Sequence, residues 1–143
     1  MKCETIIDDR LEEKVVIYAH SRTQLVEGIE RLVNEREEYV LGHTDGSIYK
    51  LMPEEIYCVT VEDGKIYAVT SDERYRIKER LYEVENDWGR GFLKINQSCL
   101  INVKKIERFE SSIGGALSVV LDNGYKDYIS RRQIKAVKER IGF

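Results

Sequence analysis

The sequence predicts a mainly β fold with short helices, of the α+β class. Three observations lead there. Asp45-Gly46, Asp63-Gly64 and Asn123-Gly124 each separate apolar runs, and such dipeptides supply the positive φ angles of a tight hairpin. The runs around them are rich in Val, Ile, Tyr and Thr, which suit a pleated surface. Apolar residues recur at helical spacing in only three short stretches.

The elements follow in chain order. Residues 2–9 and 14–20 read as strands, the second through its apolar, β-branched run Val15-Val16-Ile17-Tyr18-Ala19. Ser21 with Gln24 three residues on reads as a capping box. The helix it opens sets Leu25, Ile29, Leu32 and Val33 on one stripe and ends near Glu37. A strand starts at Tyr39 and turns at Asp45-Gly46 into residues 47–52. Residues 55–62 and 65–71 form a second hairpin about Asp63-Gly64. Residues 76–86 read as a short helix with Ile77, Leu81 and Val84 on one face. Residues 92–100 and 104–110 read as strands, with a turn near Ile101-Asn102. Residues 117–121 and 125–129 form a third hairpin about Asn123-Gly124. Ser130 caps a last helix that turns Ile134, Val137 and Ile141 inward and stops at Gly142.

At 143 residues the chain suits one ordinary domain, or a small domain with an appended subdomain. A hydrophobic fraction of 42% can build a core, and 34% charged residues imply a heavily solvated surface. A single proline and no Pro/Gly/Ser-rich linker predict parts that pack rather than swing on a tether. No apolar run approaches the roughly 18 residues of a membrane span, and no signal peptide opens the chain. Both absences predict a cytosolic protein with no direct membrane insertion. Cys3, Cys58 and Cys99 are widely spaced and form no Cys-x-x-Cys pair, which argues against a disulfide framework or a zinc ribbon. Cys58 and Cys99 read as small buried hydrophobes.

Charge is distributed unevenly. Residues 88–143 carry 11 Lys/Arg against 5 Asp/Glu, while residues 1–46 carry 6 against 11. The total of −3 hides a basic end on an acidic body. A polyphosphate responds to the patch within about one Debye length, roughly 8–10 Å, rather than to the total. This asymmetry is the one expected when one end grips a phosphate backbone.

Catalytic readings are weak. His20 and His43 have no neighbour at metal-ligand spacing, and no phosphate-cradling glycine loop is present. Acidic runs such as Glu12-Glu13 and residues 35–38 read as solvated faces. No enzyme activity and no cofactor are expected. The stronger constellations are polar and basic. In Asn96-Gln97-Ser98, two amides follow a strand, and amides can pair with an adenine edge in the major groove. In Ser130-Arg131-Arg132, a hydroxyl and two guanidiniums sit at a helix start, which suits phosphates and guanine. On residue type alone, Asn96 and Gln97 are equally well read as ordinary turn residues, and the last helix as a solvated basic face.

Residues 47–143 resemble the LytTR family of bacterial DNA-binding domains. The resemblance runs through Ile56-Tyr57-Cys58-Val59, the Asp63-Gly64 hairpin and the segment 78–85. It continues through 92–106, where Asn102 is followed by Val103 and Ile106, and closes with Leu121-Asp122-Asn123-Gly124 and Ser130-Arg131-Arg132. It implies a β-rich fold that reads double-stranded DNA with loops rather than with a recognition helix. Two loops then enter successive major grooves, with backbone contacts between. Asn96, Gln97 and Ser98 match the first recognition turn; Ser130, Arg131 and Arg132 match the second. The loop 63–65 matches a third contact region, where Lys65 is the phosphate candidate. Lys104 and Lys135 are expected to be backbone contacts. Family members often carry His or Ser at the Asn96 position and Arg or Lys at the Gln97 position, so this chain has lost a cation there. Asn102 reads as structural, its amide closing a turn.

The division expected is an acidic strand–helix subdomain over 1–46 and the LytTR-like DNA-binding domain over 47–143. The first part has no room for a phospho-accepting receiver domain, and it resembles short stand-alone members often encoded beside a small membrane protein. It is expected to serve as a dimer surface or to dock such a membrane-protein partner. The reading is a sequence-specific DNA-binding transcriptional regulator acting as a homodimer on repeated half-sites. Its rival is a protein-interaction module whose basic end is only a solvated face.

Overall fold

A computed structural model of the chain describes residues 1–34, 39–88 and 91–143. The chain divides into two compact units, Met1–Glu37 and Glu38–Phe143. In the first unit the only regular element among the described residues is α1 (Gln24–Asn34). The strands expected over 2–9 and 14–20 do not form. Both segments line one cavity of about 460 Å³ with Ile29, yet no ladder joins them. β-branched composition favours a pleated surface only where a partner strand supplies the hydrogen bonds. At Asp8 the chain turns instead: the Arg10 N–H donates to its carboxylate at 3.0 Å and the Leu11 N–H to its carbonyl at 3.1 Å.

The opening of α1 also differs from the expected capping box at Ser21. Thr23 precedes the helix, and its Oγ1 accepts from the Val26 N–H at 3.3 Å. Val26 is the buried residue, while Leu25, Leu32 and Val33 of the expected inner stripe are exposed. The expected helix end near Glu37 lies outside the described residues.

The second unit begins earlier than the expected position 47. β1 (Val40–Thr44) pairs along its length with β2 (Ser47–Leu51) and meets β5 (Arg74–Ile77) at His43 and Arg76, so it is part of the main sheet. β3 (Cys58–Glu62), β4 (Lys65–Val69), β6 (Phe92–Asn96) and β7 (Cys99–Asn102) complete that sheet in the order β2-β1-β5-β4-β3-β7-β6. A second sheet has the order β10-β9-β8, from β8 (Ile106–Ser111), β9 (Leu117–Leu121) and β10 (Lys126–Ile129). All the pairings are antiparallel. The helices of this unit are α2 (Leu81–Asp87) and α3 (Arg131–Ile141).

The glycine dipeptides turn where the sequence placed them. Asp63 and Gly64 take φ 51° and 72°, the paired left-handed conformations that match strand twist. Two expectations shift. Residues 74–77 form a strand, so Arg76 and Ile77, the first two residues of the expected helix, are extended: Ala68 pairs with Tyr75 and Tyr67 with Arg76. Ile77, Leu81 and Val84 still share one apolar cluster, so the spacing found the right residues with the wrong period. The turn between the strands after Phe92 falls at Gln97-Ser98 instead of Ile101-Asn102, which belong to β7.

Alternate residues of the central strands feed opposite cores. Val59, Ala68 and Leu100 join Val40, Leu51, Ile56, Ile77, Val84 and Phe92 on one face. Cys58, Cys99 and Ile101 join Val119, Leu121 and Ile129 of the second sheet on the other, with Val137 of α3 over them. Cys58 and Cys99 are fully buried, as expected. A hydrogen bond with Cys58, together with burial, pushes the Cys99 thiol far above its usual range, so it stays neutral. Gly42 is required by close approach. An added Cβ would lie 2.7 Å from both Leu51 Cδ1 and Tyr75 Cβ.

Candidate nucleic-acid interface

Three connections converge on one end of the main sheet. β3 and β4 turn at Asp63-Gly64, and β6 and β7 turn at Gln97-Ser98. The Val61 N–H donates to the Ser98 carbonyl at 2.9 Å, which ties the two turns together. The Ser130 N–H donates to the Ile95 carbonyl at 2.8 Å, which brings the start of α3 beside them. A register irregularity between Lys94 and Asn96 leaves both Ile95 and Asn96 buried.

Asn96 is therefore a fastener. It is 2% exposed, its Nδ2 donates to the Tyr128 carbonyl at 3.0 Å, and its Oδ1 accepts from the Ser98 N–H at 2.8 Å. Its amide is occupied within the fold, which corrects the expectation that it faces a base edge. Gln97 and Ser98 stand exposed at the tip of the same turn. Arg131 and Arg132 are exposed on the first turn of α3. Ser130 occupies the cap position, but its hydroxyl makes no cap hydrogen bond; its carbonyl accepts from Gln133 and Ile134 instead. The helix start thus presents free N–H groups and a free hydroxyl, a favourable place for an anion.

Arg131, Lys135 and Lys138 fall four and three residues apart and line one groove of about 620 Å³ along α3 with Phe143. Arg132 lies on the adjoining face. Lys65 is exposed immediately after the Asp63-Gly64 turn.

Lys104 is not brought to this end. β7 runs away from the Gln97-Ser98 turn, and Lys104 follows its last residue, Asn102. The Asn102 N–H donates to the Tyr57 carbonyl, so Lys104 lies at the opposite sheet end, where no turn of the interface reaches. Asn102 is structural, as expected: it is 5% exposed, donates to the Ile56 carbonyl at 2.9 Å and accepts from the Lys104 N–H at 3.0 Å. A cleft of about 310 Å³ near Tyr57 is lined by Glu54, Glu55, Asp72 and Lys105, three carboxylates and one ammonium.

Sequence reasoning passed over one group. His43, Arg76, Lys78 and Arg80 line a cleft of about 450 Å³ with Lys65, Gly64 and Glu79. Three of these side chains lie in a segment read as helix, where their convergence on Lys65 was invisible. Strict alternation in Arg74-Tyr75-Arg76-Ile77 was the signal that would have found it.

The scaffold is thus a β-rich one in which two tied turns and one helix start share a sheet end, with cations at Lys65, Arg131 and Arg132 and a neutral amide at Gln97. Comparison with known proteins gives the family. Residues 46–142 match the LytTr DNA-binding domain, and the chain belongs to that family. The LytTr DNA-binding domain of a Bacillus cereus protein has the same fold, with a TM-score of 0.71 and 18% identity over 76% of this chain and 100% of that one. An uncharacterized HTH-type transcriptional regulator of Staphylococcus aureus (strain NCTC 8325 / PS 47) is 27% identical over 99% of this chain and 98% of its own. The corresponding protein of the bovine strain RF122 / ET3-1 is 26% identical over the same shares. Among the described residues of this chain, no two consecutive helices are joined by a turn. None of those helices is long and apolar enough to cross a membrane.

Proposed function

We propose that this protein is a sequence-specific transcriptional regulator that reads duplex DNA with loop residues in the major groove. The observation that carries the reading is the tying of the Gln97-Ser98 turn and the Ser130-Arg131-Arg132 helix start to one sheet end. The naming of the Staphylococcus aureus relatives as transcriptional regulators supports it. In this reading Gln97 and Arg132 read bases. Ser98, Ser130, Arg131, Lys135 and Lys65 hold phosphates, and Asn96 fixes the two turns. The protein acts in the cytosol.

Gln97 gives the test. A neutral amide adds no counterion release, so its contribution comes from hydrogen-bond geometry, and adenine N6/N7 is the matching edge. Selection from random duplex DNA is expected to return an A·T pair under this turn for the wild type. Gln97→Arg is expected to move that position toward G·C and to steepen the salt dependence. Identical preference profiles for the two proteins would remove this turn from base reading.

The proposed assembly on DNA is a homodimer on half-sites about 10 bp, or a multiple, apart. The support lies in the first unit, where Ile6, Ile7, Val15, Tyr18, Leu25 and Leu32 are all exposed. Burial against a second copy would cover them. Light scattering on the full chain and on a chain lacking 1–37 is expected to show pairing only in the former. A monomer in both, still monomeric on DNA, would transfer these residues to some other partner.

A further inference from the structure

We propose that the cleft between β5 and the Asp63-Gly64 turn is a phosphate clamp. On this account it extends the DNA contact beyond the two recognition turns, along the sheet end. The inference rests on the DNA-binding reading above and adds Arg76, Lys78 and Arg80, which that reading does not use, to Lys65, which it does.

The cleft is lined by Lys65, Arg76, Lys78 and Arg80, with His43 beside them and Glu79 as the one carboxylate. All four cations are exposed, and none forms an ion pair among the described residues. The neighbouring cation shows the contrast. Arg74, two residues before Arg76 on the same strand face, pairs with Glu62 and stacks on Tyr67 at 4.3 Å. Arg108 and Lys126 on the second sheet share Glu110. Four like charges crowded into one cleft repel one another unless an anion lies among them. Among the described residues the lining carries four cations to one carboxylate, a net positive cleft that a phosphate would neutralise.

Position decides which anion fits. β4 leaves the Asp63-Gly64 turn at Lys65, and β5 runs antiparallel to it, with Ile77 opposite Ile66. Residues 78–80 therefore emerge at the same sheet end as the turn and continue the row that begins at Arg131 and Gln97. A free small anion would satisfy the cleft alone. A duplex seated on the recognition turns would run its backbone past it. The clamp reads no base: its donors are long, flexible cations that follow charge rather than edge pattern.

The test uses the full chain carrying Lys78→Gln and Arg80→Gln together, with Lys126→Gln as a charge control away from the sheet end. Binding is measured between about 50 and about 200 mM salt, on the duplex selected by the wild type and on a mixed-sequence duplex. Losing two phosphate contacts is expected to lower the salt slope by about two on both duplexes, while the control keeps the wild-type slope. Base preference in a selection stays unchanged. Neutral methylphosphonates flanking the half-site weaken the wild type and not the double variant. An unchanged slope, an altered base preference, or equal sensitivity of both proteins to the neutral linkages overturns the clamp while leaving the recognition turns in place. A wild type that binds no duplex removes the DNA reading and the clamp together.

Discussion

Asn96→Ala is expected to lower folding stability and DNA affinity together, because the side chain is buried and its amide is bonded within the fold. The substitution leaves the Tyr128 carbonyl without its donor and frees the Ser98 N–H. A buried polar group left unpaired costs about 1–3 kcal/mol. The same loss unfastens the Gln97-Ser98 turn from the end of β10, which leads directly into Ser130 and α3. The two recognition elements then explore geometries in which only one at a time fits the duplex. Urea unfolding should show a lower midpoint with an unchanged slope, and affinity for the selected site should fall with its base preference intact. Gln97→Ala is the matched comparison: its side chain is exposed, so its effect should fall on preference and not on stability. An Asn96→Ala protein of full stability and changed preference at one base pair would show that the amide turns outward to read DNA.

Arg132→Ala is expected to weaken binding to the selected site by about 1–3 kcal/mol, or about fivefold to about 150-fold, and to relax preference at one or two positions. Lys135→Ala should weaken all duplexes alike and lower the salt slope by about one. The difference follows from their faces. Arg131, Lys135 and Lys138 share one groove along α3, a row suited to a phosphate strand, whereas Arg132 stands on the neighbouring face of the first turn. A guanidinium can engage guanine O6 and N7 with two bonds at once, which an ammonium cannot match. Selected sites that do not differ between the wild type and Arg132→Ala would reassign Arg132 to the backbone. Both variants should keep wild-type unfolding midpoints, since both side chains are exposed.

What was legible in the sequence was local. Asp63-Gly64 and Asn123-Gly124 announce their turns because the backbone conformation they permit is a property of two residues. Ile134, Val137 and Gly142 likewise placed α3 and its end. The strands expected over 2–9 and 14–20 failed because a strand exists only with a partner, and composition does not show whether one arrives. Residues 74–86 mixed two periods, and the i, i+4, i+7 spacing of Ile77, Leu81 and Val84 outweighed the alternation before it. At the candidate interface, residue types drew attention to the turn at 96–98 but did not separate the buried Asn96 from the exposed Gln97. That distinction comes from the irregularity after Lys94, which turns one amide inward and leaves the next outside. Lys104 lies at the sheet end opposite the Gln97-Ser98 turn, a placement that residue type alone does not show. The clamp cations lie on and just after the consecutive strands β4 and β5, and their convergence was hidden because residues from Arg76 on were read as helix; only His43 is brought in from β1 by the strand order.

The two-sided burial of β7 has a consequence for how the chain finds its alignment. Cys99, Leu100 and Ile101 are all fully buried, with successive residues facing different cores. In a strand with one wet face, a slip by one residue would expose apolar side chains and be rejected. Here both faces are oily, so hydrophobicity is nearly indifferent to such a slip. The discriminating information lies in the two asparagines that bracket the strand. Asn96 clasps the incoming turn and Asn102 clasps the Ile56 carbonyl at the outgoing end, and each clasp closes in one alignment only. These two amides act as index marks, and the Gln97-Ser98 turn takes its position from one of them.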